Sequence, residues 1–98
     1  MDEPIEFPDL HEAMLDEARL DALFNDIAME AQVLSVLLKG SAEVLAEGGD
    51  VALADALSML KAGRVRAVQV RYVHRAKAWT DTLMRTASGA YRVVRIAA

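Results

Sequence analysis

Downstream of Gly63 the sequence changes texture: valine, threonine, tyrosine and arginine dominate and the strong helix formers thin out. These are the residues of a pleated, half-buried sheet. Two turn signals, Arg75-Ala76 and Ser88-Gly89, divide the stretch, so three strands are expected over roughly 64–74, 77–86 and 90–97. Two-residue turns at both places give mutually consistent registers, in which Tyr72 opposes Trp79, Val68 opposes Leu83, and Leu83 opposes Val94. One face then gathers Val68, Val70, Tyr72, Trp79, Leu83, Val94 and Ile96 as the core side. The other gathers Gln69, Arg71, Thr80, Thr82 and Arg95 among smaller apolar residues and reads as wetter.

The preceding part reads as helical. Residues 1–8, with Pro4, Pro8 and neighbouring acids, are expected to be an extended, mobile lead-in. Asp9 stands three residues before Glu12, the spacing of a capping box, which predicts a helix starting there with Leu10, Met14 and Ala18 as its apolar stripe. Asp16, Glu17 and Asp21 around Arg19 mark a bend or a junction, leaving open whether 9–39 is one helix or two. Leu20, Phe24, Ile27, Ala31, Leu34 and Leu38 then step by four and three, the spacing of one continuous helix face, with Lys39 and Gly40 as its C-terminal signals. Met29, Val33, Val36 and Leu37 widen that apolar surface, which implies a second contact with the next helix or with another copy of the protein. Ser41 opens a brief helical turn through Leu45. After Gly48-Gly49, Asp50 caps a further helix carrying Leu53, Leu57 and Leu60, closed by Gly63.

The fold class expected is therefore α+β: two or three N-terminal helices packed on one face of a C-terminal three-stranded antiparallel β-meander, in one domain over 1–98. A chain of 98 residues supports one core rather than two. At 54% hydrophobic and 27% charged it lies outside the composition of disordered chains. Aromatics are only 5%, so Trp79, Phe24, Tyr72 and Tyr91 must carry much of the packing.

The absence of cysteine excludes a disulfide framework, thiol catalysis and cysteine-ligated metal sites, and suggests a reducing cytoplasm. The acidic N-terminus lacks the pattern of a secretory leader, and no apolar run reaches the ~18 residues that span a bilayer. Residues 1–60 carry net −12 and residues 61–98 net +8, together −4. Such a split means either internal neutralisation between layers or a charged surface for a partner, and the first is the expected reading.

Asp81 is the outstanding candidate residue. It is the last carboxylate in the chain, lies in the expected central strand and points inward, where a charge needs a partner. Arg66, Arg85 and Arg92 are the expected candidates, and a structural ion pair outweighs a catalytic acid or base. Arg71, Thr80, Thr82 and Arg95 form an expected patch on the opposite face, with Tyr91 near its edge, suited to a carboxylate, a phosphate or an acidic segment. Nucleic acid is disfavoured because the chain is acidic and no aromatic pair lies on that open face.

His11 and Glu12 begin a sequence, HEAML, that lacks the second histidine of a zinc helix. Asp26 and Glu30, one helical turn apart, with His11 or His74, read as a solvated face rather than metal ligands. Neither metal nor cofactor is expected. The glycines match no phosphate-binding spacing, and the serines sit in no nucleophile elbow.

The leading functional expectation is a non-catalytic interaction or accessory protein, a homodimer using Met29, Val33, Val36 and Leu37. The alternative is a small-molecule or anion binder using Arg71 and Arg95, or a pocket around Trp79 and Asp81.

Overall fold

The computed structural model describes residues 10–40 and 51–97. Its elements run β1 (Leu10–Leu15), α1 (Glu17–Glu30), β2 (Gln32–Lys39), α2 (Leu53–Lys61), β3 (Ala67–His74), β4 (Lys77–Arg85) and β5 (Tyr91–Ala97). All five strands join one antiparallel sheet of order β1-β5-β4-β3-β2. The expected arrangement, N-terminal helices on a three-stranded C-terminal meander, is thereby corrected. The meander forms the middle of a wider sheet, and two segments expected as helix are its edge strands. The lead-in over 1–8, the turn through Ser41 and Leu45, and the cap at Asp50 fall outside the described residues.

The first correction concerns Leu10–Leu15. Leucine, glutamate, alanine and methionine favour a helix locally, but this segment makes six register pairs with β5, from Leu10 opposite Ile96 to Leu15 opposite Tyr91. Its burial alternates, with His11, Ala13 and Leu15 partly covered and Glu12 and Met14 exposed, the period of a strand with one face inward. Pairing outweighs propensity here. Asp16 takes the capping role instead: its Oδ1 accepts from the Arg19 backbone N–H at 2.8 Å, so the acidic cluster marks the strand-to-helix junction.

The second correction divides the long expected helix. Leu20, Phe24 and Ile27 are buried on α1 as the four-and-three spacing predicts. At Ala31 the backbone turns extended, with φ −122° and ψ 160°, and Val36 and Leu38 enter the core two residues apart as strand neighbours. In Gln32–Lys39 valine and leucine satisfy both periods, and pairing with β3 selects the strand. The register shifts between Val33 and Ser35, a bulge that places one extra residue on β2.

β1 and β2 occupy opposite edges, so α1 must carry the chain across the whole sheet. Its 14 residues span roughly 21 Å, close to the roughly 19 Å across four interstrand gaps. α2 packs beside it over β2, β3 and β4. Gly63, at φ +75°, closes α2: its N–H reaches the Leu60 carbonyl at 3.1 Å and the Arg64 N–H reaches that of Met59 at 2.9 Å. That pair of bonds satisfies carbonyls the helix leaves open.

The two hairpins differ in a way that decides the site. Arg75 and Ala76 both have positive φ, 55° and 64°, and form the expected two-residue turn between His74 and Lys77. At the other hairpin the Thr86 N–H donates to the Ala90 carbonyl at 2.8 Å and the Gly89 N–H to that of Thr86 at 3.1 Å. The loop therefore has three residues, Ala87-Ser88-Gly89, with Gly89 at φ +89°. One extra loop residue slips β5 by one position, and a one-residue slip exchanges the faces of every side chain. Leu83 opposes Val93 rather than Val94, and Asp81 opposes Arg95 rather than Ile96.

The core lies between the helices and one sheet face. It joins Leu20, Phe24 and Ile27 of α1 and Ala56 and Leu60 of α2 to Val36, Leu38, Val68, Val70, Tyr72, Trp79, Leu83, Tyr91 and Val93 of the strands. The register leaves Leu37, Gln69, Arg71, Thr80, Thr82, Met84, Val94 and Ile96 on the other face, which neither described helix covers.

Candidate functional site

Asp81 is fully buried. The register sets it in a row that runs Val36, Val70, Asp81, Arg95 and His11 across all five strands on the helix-covered side. The Arg95 Nε donates to Oδ1 at 2.8 Å and Nη2 to Oδ2 at 2.8 Å. This is a bidentate fork, the geometry that suits a guanidinium and a carboxylate best. The Tyr72 hydroxyl adds a third bond, donating to Oδ2 at 3.1 Å. The Arg95 guanidinium also lies 5.9 Å from the centroid of the Tyr72 ring, within the range of a cation–π contact.

Burial pushes the Tyr72 phenol far above its ordinary value, and the Asp81 charge adds to that effect. For Arg95 burial works against the charged form, but the hydrogen bond and field of Asp81 outweigh it, and its pKa stands raised. Arg95 is therefore held as a cation and Tyr72 as a neutral phenol. Among the described residues no buried side-chain polar atom lacks a partner. A carboxylate that accepts three bonds inside a packed layer is set to fix β3, β4 and β5 in register.

Arg66, Arg85 and Arg92, the expected partners of Asp81, are instead exposed. Arg92 pairs with Glu12 across β5 and β1. The expected patch is divided: Arg71, Thr80 and Thr82 lie on the open face, whereas Arg95 points to the helical side with Asp81. Thr82 accepts from the Gln69 amide at 3.2 Å. Tyr91 is buried rather than at a patch edge. Trp79 is 8% exposed and carries the Lys77 ammonium 4.6 Å from its ring centroid.

The residues expected at an interface separate as well. Val36 is a core residue, whereas Met29 at 73%, Val33 at 36% and Leu37 at 40% remain exposed. Leu34 and Met14, expected on apolar helix faces, and Ile96, expected on the core face of the sheet, are exposed too. Alternation along β2 would have shown Leu37, once that strand was recognised, whereas Ile96 turns outward because the loop before β5 has three residues.

Among the described residues no three histidine or acidic side chains converge as a metal site. A shallow open groove is lined by Gly63, Val65, Arg66, Arg85, Thr86 and Ser88. No described helix is long and apolar enough to cross a membrane. The fold and its buried cluster define the chain as an α+β protein built on a five-stranded antiparallel sheet with helices on one side. Comparison of the chain with family models, with curated proteins and with solved structures gave no match.

Proposed function

We propose that this protein is a non-catalytic interaction module that assembles as a homodimer. The observation that carries this reading is one-sided coverage. Both described helices lie over one face of the sheet, while the other face and the β2 edge expose Leu34, Leu37, Met14 and Ile96. Exposed apolar side chains that share one edge strand, as Leu34 and Leu37 do on β2, mark interaction sites more often than isolated ones do. The one buried charged cluster among the described residues, by contrast, has its carboxylate already engaged by Arg95 and Tyr72, which favours a structural role over acid–base chemistry. Light scattering on a size-exclusion column tests the reading: a dimer mass at micromolar concentration is expected, and a monomer throughout a dilution series rejects it.

Anion binding is the second reading, moved from Arg71 and Arg95 to the groove that Arg66 and Arg85 line. Neither arginine makes an ion pair among the described residues. A guanidinium pair beside the Thr86 and Ser88 hydroxyls, themselves 3.1 Å apart, suits phosphate or carboxylate. It ranks second because Arg85 approaches Gly63 at the C-terminal end of α2, where a cation already has a role against the helix dipole. Melting shifts with inorganic phosphate that vanish in Arg66→Gln support it, and flat responses in both proteins remove it.

A further inference from the structure

We infer that the homodimer forms edge to edge, with β2 pairing antiparallel to β2 of a second copy so that the two sheets become one. The inference rests on the homodimer reading above and names its surface.

Among the described residues β2 is an eight-residue edge strand bonded on one side only, to β3. Its outer side therefore presents a row of backbone donors and acceptors. Proteins usually blunt such an edge by shortening it, or by placing proline or several charges along it. β2 has no proline and one charged residue, Lys39, at its very end. Among the described residues the bulge near Val33 is its one protective device, and it leaves Ser35–Lys39 in regular register. Along this edge Val33, Leu34 and Leu37 are exposed. β1, at the opposite edge, has six residues and bears the Glu12 to Arg92 ion pair.

Three features favour a second copy as the occupant. Antiparallel alternation continues if the next strand runs opposite to β2, which a two-fold copy of β2 supplies, and a two-fold contact is the commonest closed assembly. That symmetry also sends the two Lys39 residues to opposite ends of the joint, so the only charges on the strand do not repel each other. Finally, α1 ends on Glu30 with no basic residue in its last turn, against the usual charge preference of a helix C-terminus. The two-fold brings Lys39 of each copy to the start of β2 in the other, beside that end of α1, where exposed Met29 adds apolar contact.

Lys39 leaves the open side of the edge and Glu30 the helical side, and the two flexible side chains meet around its rim. Neither Glu30 nor Lys39 makes an ion pair among the described residues. Within one chain they stand at opposite ends of β2, roughly 25 Å apart, too far to interact.

The absence of cysteine makes the test direct. Ser35→Cys, at the middle of β2, is treated with a short bis-maleimide, with Met14→Cys on β1 as the control at the other edge. Covalent dimer from Ser35→Cys and none from Met14→Cys is the expected result. In parallel, Glu30→Lys and Lys39→Glu are each expected to weaken the dimer by about tenfold, and the double exchange to restore it. Restoration that persists at high salt, where net-charge effects are screened, marks contact between copies. A wild-type protein that stays monomeric defeats the homodimer reading and this inference together. A wild-type dimer that cross-links through Met14→Cys but not Ser35→Cys, and ignores the charge exchange, overturns the edge pairing while leaving the homodimer intact.

Discussion

Asp81 and Arg95 face each other across β4 and β5, both carboxylate oxygens accepting from one guanidinium at 2.8 Å. The Asp81 side chain is wholly buried and that of Arg95 is 12% exposed. Removing one member of such a pair leaves a charge buried without its counterion. Asp81→Asn and Arg95→Met are each expected to cost about 3–5 kcal/mol of stability. The double change Asp81→Asn with Arg95→Met should cost much less than the sum, because no unpaired charge remains. Urea denaturation followed by fluorescence of Trp79, the one tryptophan, measures all three. Small and additive losses would mean that the pair does not hold the sheet.

Tyr72 gives the cluster a signature at alkaline pH. Its pKa is raised, first by burial and then by the Asp81 charge, so the folded protein keeps the phenol neutral beyond the pH at which an unfolded chain ionises it. The contribution is complete below the ordinary tyrosine value of about 10 and is lost as pH climbs above it. Lys61 acts in the same direction: hydrogen bonds to Asp21 and Glu17 raise its pKa, and that support also fades in strong alkali. Tyrosinate absorbance is expected to rise in a delayed step together with loss of Trp79 fluorescence, and Tyr72→Phe should remove that step. An early tyrosinate signal that persists in Tyr72→Phe, with no delayed step in wild type, counts against the buried bond.

The β3–β4 turn can be improved without touching a contact. Arg75 and Ala76 occupy left-handed conformations, φ 55° and 64°, that favour asparagine and glycine. Arg75→Asn with Ala76→Gly should raise stability by about 0.5–1 kcal/mol, less than the full relief of strain because glycine also loosens the unfolded chain. A rise in melting temperature of a few degrees is the expected reading. A fall would show that the turn tolerates its residues without strain.

The sequence made some elements legible and hid others for identifiable reasons. α2, the β3–β4 hairpin and the inward placement of Asp81 could be read because period, turn chemistry and residue type agree there. Leu10–Leu15 and Gln32–Lys39 were hidden because each edge strand draws its stability from one distant partner, β5 or β3, and not from its own residues. Helix-forming composition in the first, and a valine-leucine run compatible with two periods in the second, pointed the other way. The Asp81 partner was missed by a single loop residue. Val94 and Ile96 read as core and Arg95 as surface, until a three-residue loop exchanges them.

That loop supplies the last prediction. Ala87-Ser88-Gly89 spans Thr86 and Ala90, whose hydrogen bonds fix the β4–β5 register. Deleting Ser88 leaves a two-residue connection, which demands either a strained closure or the slipped register. In the slipped register Thr86, Ala87 and Gly89 rebuild a three-residue loop, Arg95 turns to the open face, Asp81 loses its cation, and Val94 comes opposite the buried carboxylate. The slipped register should cost at least about 3 kcal/mol, the range for a buried pair broken on one side, whereas a closure that keeps the register costs only its backbone strain. Gly89→Ala is the matched control: its φ of +89° makes a side chain unfavourable, but nothing lies within 4 Å of the added carbon. Its cost should be nearer 1 kcal/mol, with the register unchanged. Thermal melts of the two variants separate a register effect from backbone strain. Equal and small losses in both would show that pairing with β1, not loop length, sets where Arg95 points.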